Sequence, residues 1–187
     1  MAKHVICDIH KRFIYISGKI EAITFTLIKS SVARILKHNQ KNPINIFLES
    51  KGGDFYACLS IFEFLKNSKS EIFTVAVNHV CSGAFFILQA GTKRFAFDKK
   101  TTFEFHMSEK ELIKNLRLNA VGLTALVLTL QTIDAQQLII FCEHGRPISE
   151  IQNLFHENTR ISVQKALELN LIDGILPKSK IPKIKPR

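Results

Sequence analysis

Apolar positions along this chain form short strand-like runs separated by stretches at helical spacing. Phe13–Ser17 (FIYIS) is rich in strand-forming residues and stops at Gly18, as a strand stops at a turn. Residues 21–38 then carry Ile23, Leu27, Val32, Ile35 and Leu36 at helical intervals. Pro43 leads into a second run, residues 44–48 (INIFL), followed by the glycine turn Glu49-Ser50-Lys51-Gly52-Gly53 and a helix over residues 55–65. A third run over residues 72–77 (IFTVAV) is followed by a tight crossing and an apolar helix over residues 82–90. Residues 94–97 make a short strand, and residues 102–106 (TFEFH) alternate, with Phe103 and Phe105 on one face and Thr102, Glu104 and His106 on the other.

The second half of the chain is mostly helical. The pattern runs from residue 109 to about residue 143, softened at Gly122 and ended by Gly145-Arg146-Pro147. A short helix over residues 149–156 and a turn or edge segment over residues 158–161 come next. Ser162 is placed to cap a helix over residues 163–169 that Asn170 closes, and residues 171–176 return to extended structure.

Strand, helix, strand, helix, strand, helix in that order implies an α/β fold with parallel pairing through right-handed crossovers. In such sheets, sites form beyond the carboxyl ends of the strands. Gly52-Gly53 and Ser82 both lie just past strand ends, so one crevice can hold them. A serine there meets unpaired helix N–H groups and the positive end of the helix dipole, which stabilise the oxyanion of acyl transfer. Two readings of Ser82 stay open, a nucleophile and a simple helix N-cap. His106, at a strand end, is either a catalytic base or a half-buried, hydrogen-bonded histidine.

Composition narrows the function classes. The chain has 187 residues, 46% of them hydrophobic and 22% charged, which describes a folded globular protein; the expected organisation is one domain over residues 1–177 and a basic tail over residues 178–187. The net charge of +10 invites a nucleic-acid reading, but outside the tail the charge is dispersed and no nucleic-acid-binding motif accompanies it, so none is expected. Cys7, Cys58, Cys81 and Cys142 form no C-x-x-C pair; free thiols in a reducing compartment are expected. Cys142 with His144, or Cys7 with His10, lacks a second pair at ligand spacing, and no metal is expected. No signal-peptide pattern is visible, and the uncharged run over residues 118–133 is shorter than the roughly 20 residues a bilayer needs. It reads as a buried or interface helix in a cytoplasmic protein without a membrane span.

The order strand, Ser50-Lys51-Gly52-Gly53, helix, strand, Cys81-Ser82-Gly83-Ala84, helix, then a strand ending in His106, a long helix and a closing Leu171-Ile172-Asp173-Gly174-Ile175-Leu176 resembles the proteolytic subunit of the Clp protease, within the crotonase-like group. The resemblance covers about residues 12–176. It implies repeated β-α units with a long protruding handle helix, and a serine endopeptidase that needs no cofactor. It places the nucleophile on Ser82, the base on His106 and the oxyanion donors on the N–H groups of Gly53 and Gly83. Counting back from Asp173, the third triad position falls on Asn158, where the family usually has aspartate. In a serine protease built around aspartate that exchange costs about four orders of magnitude in turnover. The implied partners are peptide or unfolded-protein substrates and further copies of the chain in a heptameric ring, which stacks in the family. An AAA+ unfoldase or a second Clp-protease-like subunit completes the implied set.

The chain departs from the family elsewhere. Residues 107–121 contain no glycine where a glycine-rich strand normally follows the histidine, the segment before Phe13 is short, and Lys51 replaces a proline. Lys51 beside the oxyanion turn raises a Ser–Lys mechanism as an alternative. Phe47 reads as core or as part of an unfoldase docking pocket. The leading expectation is a peptidase subunit of a self-compartmentalised protease. The alternatives are a weakly active or inactive structural subunit of a mixed ring, and a crotonase-type acyl-CoA enzyme.

Overall fold

A computed structural model describes residues 5–39, 41–105, 120–143 and 147–176. The chain divides into two compact units, one of residues 1–104 with 160–187 and the other of residues 105–159.

The first unit holds an eight-stranded sheet. Its strands are β1 (Val5–Asp8), β2 (Phe13–Ser17), β3 (Ile44–Ser50), β4 (Ile72–Cys81), β5 (Lys93–Ala96), β6 (Thr102–Glu104), β7 (Arg160–Ser162) and β8 (Gly174–Ile175). The main order is β1-β2-β3-β4-β5-β8, with β6 pairing β4 and β7 pairing β6. Pairing from β2 through β5 is parallel, because the helices α1 (Ala22–His38), α2 (Phe55–Lys66) and α3 (Gly83–Leu88) return the chain to the same end of the sheet. The repeated β-α architecture therefore matches the sequence expectation.

Strand β1 adds an antiparallel edge that the hydrophobic pattern did not signal. Its four residues are half-buried, and a four-residue apolar run is too short to stand out. Helix α1 also differs in facing. Ile28, Val32 and Ile35 are buried, whereas Ile23 and Leu27 are exposed. Two neighbouring stripes of this helix satisfy the same 3.6-residue period, and the crossover onto the sheet selects one. Phe47 is 1% exposed and sits in a cluster with Phe13, Val75, Val77 and Leu176, so it is a core residue here. Helix α3 is buried on every side, with Phe86 stacked between Phe55 and Phe62 at centroid separations of 6.0 and 5.4 Å.

The C-terminal segment is tied to the sheet by charge. Helix α6 (Val163–Glu168) starts at Ser162, whose Oγ accepts from the Lys165 N–H at 3.2 Å as the sequence implied. After it, the Arg94 guanidinium donates to both Asp173 oxygens, at 3.2 and 2.7 Å, and to Gln89 Oε1 at 3.1 Å. The Arg94 N–H donates to Asp173 Oδ2 at 2.7 Å, and Gln89 Nε2 donates to the Leu171 carbonyl at 3.2 Å. The guanidinium is buried, so the carboxylate and the amide together replace its lost water.

The second unit contains helices α4 (Ala120–Cys142) and α5 (Ile148–His156). Phe105, Phe141 and Phe155 form an edge-to-face trio with centroids 5.1 to 5.7 Å apart. Helix α4 distributes its apolar residues around its circumference, and Val121, Val127, Leu128 and Ile139 are exposed. From Thr124 to Cys142 it is long and apolar enough to cross a membrane by length and composition. Its only charged residue is Asp134, and Thr129 and Thr132 return their hydroxyls to the carbonyls of Ala125 and Leu128. Residues 106–119, which include His106 and the start of the helix expected from residue 109, lie outside the described residues, as do His144 and the tail.

The Arg94–Asp173 pair makes a stability prediction. Asp173→Ala leaves the buried guanidinium without its carboxylate. The expected loss is about 2 kcal/mol, below the 3–5 typical of a wholly buried pair because the Asp173 side chain is 39% exposed. A lowered urea midpoint with an unchanged m-value is the expected reading.

Candidate functional site

The site is built where β3 and β4 end side by side. Leu48 pairs with Ala76, but two residues later Ser50 pairs with Val80, so β4 carries two extra residues there. The excess is taken up around Asn78, at φ +51°, whose Nδ2 donates to Glu49 Oε1 at 2.6 Å. This bulge also changes β4's other neighbour. Residues 73–76 pair with β5, and residues 79–81 pair with β6. The sequence suggested that the strand stopped near Val77; in the fold it runs on to Cys81 and delivers Ser82 at its end.

Ser82 occupies the corner between β4 and α3 with φ 52° and ψ −132°. That region strongly favours glycine, and a serine held there carries strain on the order of 1–3 kcal/mol. The Ser82 carbonyl accepts the N–H groups of Phe85 and Phe86, so the residue stands at the N-cap position. Its hydroxyl makes no capping hydrogen bond. The N-cap reading therefore accounts for the backbone of Ser82 and leaves its Oγ unexplained.

Glycines surround this corner because neighbouring atoms leave no room for a Cβ. A Cβ added to Gly52, at φ +91°, would lie 2.9 Å from both the Gly83 nitrogen and Ser82 Cβ. One added to Gly53 would lie 2.1 Å from the Ile20 carbonyl oxygen, and one added to Gly83 2.3 Å from Cys58 Sγ. Ile20 takes the Asp54 N–H on its carbonyl and donates its own N–H to Gly52 O. In such a parallel bridge the N–H of the middle residue, Gly53, points away from Ile20. Among the described residues, neither the Gly53 nor the Gly83 N–H has a hydrogen-bond acceptor. Ser50 closes the turn by accepting the Gly52 N–H on Oγ at 3.0 Å.

Beside the corner, on one face of β4, β6 and β7, lie two rows of polar side chains. Cys81, Glu104 and Arg160 are in register, and His79, Thr102 and Ser162 form the next row. Arg160 donates through Nε and an Nη to Glu104 Oε2, at 3.1 and 2.7 Å. Burial lowers the pKa of His79, reinforced by Arg160 and Lys51 and opposed by Glu104. The Cys81 thiol is pushed up to about 12 by burial and by the Glu104 charge, and Cys58 up to about 12 by burial and Asp54. His79, Cys81 and Glu104 offer donor atoms within 4.8 Å of one another, the one such metal-competent cluster among the described residues. The sequence reading missed it and weighed only Cys142 with His144 and Cys7 with His10. The available signal was His-x-Cys on a strand, which puts both side chains on one face.

Of the residues singled out from sequence, the fold brings Ser82, Gly53 and Gly83 to one corner. His106 lies outside the described residues. Asn158 belongs to the second unit and has a local structural role. At φ 50° it follows α5, its N–H donates to Phe155 O, and the Thr159 N–H donates to Leu154 O. This is a Schellman closure, in which asparagine is the usual substitute for glycine.

Two predictions follow from the corner. Gly83→Ala drives a methyl into Cys58 Sγ and costs about 1–3 kcal/mol. Cys58→Ala recovers part of that loss, giving a coupling on the order of 1 kcal/mol in a denaturation double-mutant cycle. Ser82→Gly relieves the strained backbone, and after the entropy that glycine loses on folding the net gain is about 1 kcal/mol. Thermal unfolding should rank Ser82→Gly above Ser82→Ala.

A sequence model described as Clp protease matches residues 4–179 of the 187. The match spans both compact units, and the strand–serine–helix corner with its paired glycines falls inside it. With a repeated β-α sheet carrying that corner and a family match over nearly its whole length, the chain belongs to the Clp protease family.

Proposed function

We propose that this chain is a serine-type endopeptidase subunit of a self-compartmentalised, ATP-dependent Clp-type protease, acting on peptides and unfolded proteins. The observation that carries the reading is Ser82. It is a non-glycine residue held at positive φ on a strand-to-helix corner, with a hydroxyl that takes no part in capping. Strain of this kind is maintained where an exposed nucleophile is needed.

In the proposed mechanism Ser82 Oγ attacks the peptide carbonyl while His106 takes its proton. The carbonyl oxygen becomes an oxyanion held by the Gly53 and Gly83 N–H groups, both without another acceptor among the described residues. His106 then returns the proton to the leaving amine, and water hydrolyses the acyl-enzyme. Asn158 is the proposed third member. It can orient an imidazole by hydrogen bonding, but it brings no negative charge to the imidazolium, so turnover is expected to be slow. Assembly into a ring, a cytoplasmic location and delivery of substrate by an AAA+ unfoldase belong to the same proposal.

The second reading is a weakly active or inactive structural subunit of a mixed ring. The helix closure at Asn158 favours it, because that closure explains an asparagine without any catalytic role.

Labelling with a fluorophosphonate or β-lactone, read by intact mass, separates the two. One adduct per chain, lost in both Ser82→Ala and His106→Ala, is expected. Asn158→Asp should then raise kcat on a peptide substrate. A folded, oligomeric sample that takes no adduct overturns the peptidase reading for the chain alone and puts the structural subunit first.

A further inference from the structure

We propose that His79, Cys81 and Glu104 form a zinc-binding site on the β4–β6 face beside the Ser82 corner. Their donor atoms already lie within 4.8 Å of one another. Zinc with bonds of about 2.0–2.3 Å holds its ligands roughly 3.3–3.8 Å apart, so small side-chain rotations close the site. The mixture of sulfur, imidazole nitrogen and carboxylate oxygen is a zinc-type donor set.

The register explains why these three meet. His79 and Cys81 are two apart on β4 and share a face, and Glu104 sits directly opposite Cys81 on β6. The intervening residues of the same strands, Val80 and Phe103, turn to the opposite face and are fully buried, which gives the site a rigid backing.

The imidazole is oriented by a second layer. Thr102 Oγ1 lies 2.9 Å from His79 Nδ1 and donates to the Asn78 carbonyl at 3.5 Å. In the tautomer whose Nδ1–H donates to this hydroxyl, Nε2 carries the free lone pair. Nε2 faces Glu104 Oε2 at 3.6 Å, too far for a hydrogen bond. A cation between the two atoms bridges this gap. A hydrogen bond that fixes the tautomer from behind is the usual support of a metal-binding histidine.

Charge is balanced as well. Binding displaces the Cys81 proton to solvent, and thiolate with carboxylate neutralises Zn²⁺. Arg160 is the competitor. It holds Glu104 Oε2 from a side chain that is 63% exposed, so it can leave for water when the metal arrives. Water is expected at the fourth position, as in zinc sites with three protein ligands.

The test uses the full-length protein, stripped of metal with a chelator and titrated with Zn²⁺ against a chromophoric competitor, with Co²⁺ as a spectroscopic probe. One equivalent should bind, and the Co²⁺ form should show a thiolate-to-cobalt charge-transfer band. Cys81→Ser should remove that band, whereas Cys7→Ser and Cys142→Ser should retain it. His79→Ala, at a partly exposed ring, should remove stoichiometric Zn²⁺ binding in a protein whose circular dichroism is unchanged. Thr102→Val should weaken binding about 10–100-fold, and Arg160→Met should strengthen it. No stoichiometric Zn²⁺ binding by the unmodified chain overturns the site. So does a band that survives Cys81→Ser, or Zn²⁺ affinity unchanged in folded His79→Ala.

Discussion

The arrangement of this protein depends on glycine backbones approached too closely to carry a side chain, two by neighbouring main chain and one by the Cys58 side chain. Gly52 lies against the Ser82–Gly83 peptide, Gly53 against Ile20, and Gly83 against Cys58, each at a distance that a single added carbon would violate. These contacts draw the ends of β3 and β4 and the start of α3 into one corner. They also leave the Gly53 and Gly83 N–H groups turned away from the sheet's own hydrogen bonding. The oxyanion site proposed for this corner would therefore rest on main-chain N–H groups, with no charged side chain required.

The bulge in β4 has two consequences from one cause. Two extra residues around Asn78 let the strand exchange β5 for β6 midway along its length. The lower half becomes core, with Val75 and Ala76 fully buried. The upper half carries His79 and Cys81 to a polar face, where β6 and β7 add Glu104 and Arg160. Reactive and titratable residues are thus concentrated at the end of a strand whose beginning is wholly structural. The strain at Ser82 is sustained by the same frame: α3, which must follow it directly, is buried on all sides and held by the stacked rings of Phe55, Phe62 and Phe86.

Asn158 shows how a single residue type can answer two questions at once. Position by position it stands where the family's third catalytic residue is expected, yet a Schellman closure at positive φ accounts for asparagine there on backbone grounds alone. The choice between the two roles is a matter of charge. An aspartate would stabilise an imidazolium, and an asparagine offers only orientation. In the chemistry proposed for Ser82, Asn158 would be a weak third member, and slow turnover would follow.

By itself the sequence determined the order of elements, because hydrophobic spacing reports local geometry: β2, β3, α2 and the start of β4 are readable from apolar runs and their glycine turns. It also determined the strand-end positions of Ser82 and the glycine pair, since small residues after a buried strand have few other uses. Other features needed the tertiary structure. The buried stripe of α1 was ambiguous because Ile23 and Leu27 fit the helical period as well as Ile28 does. The bulge and the positive φ of Ser82 are backbone facts without a compositional signature. The meeting of His79, Cys81, Glu104 and Arg160 depends on pairing between β4, β6 and β7, and Arg160 is 56 residues from Glu104 along the chain. Local periodicity carries no information about which strand end lies beside which; sheet register alone decides that.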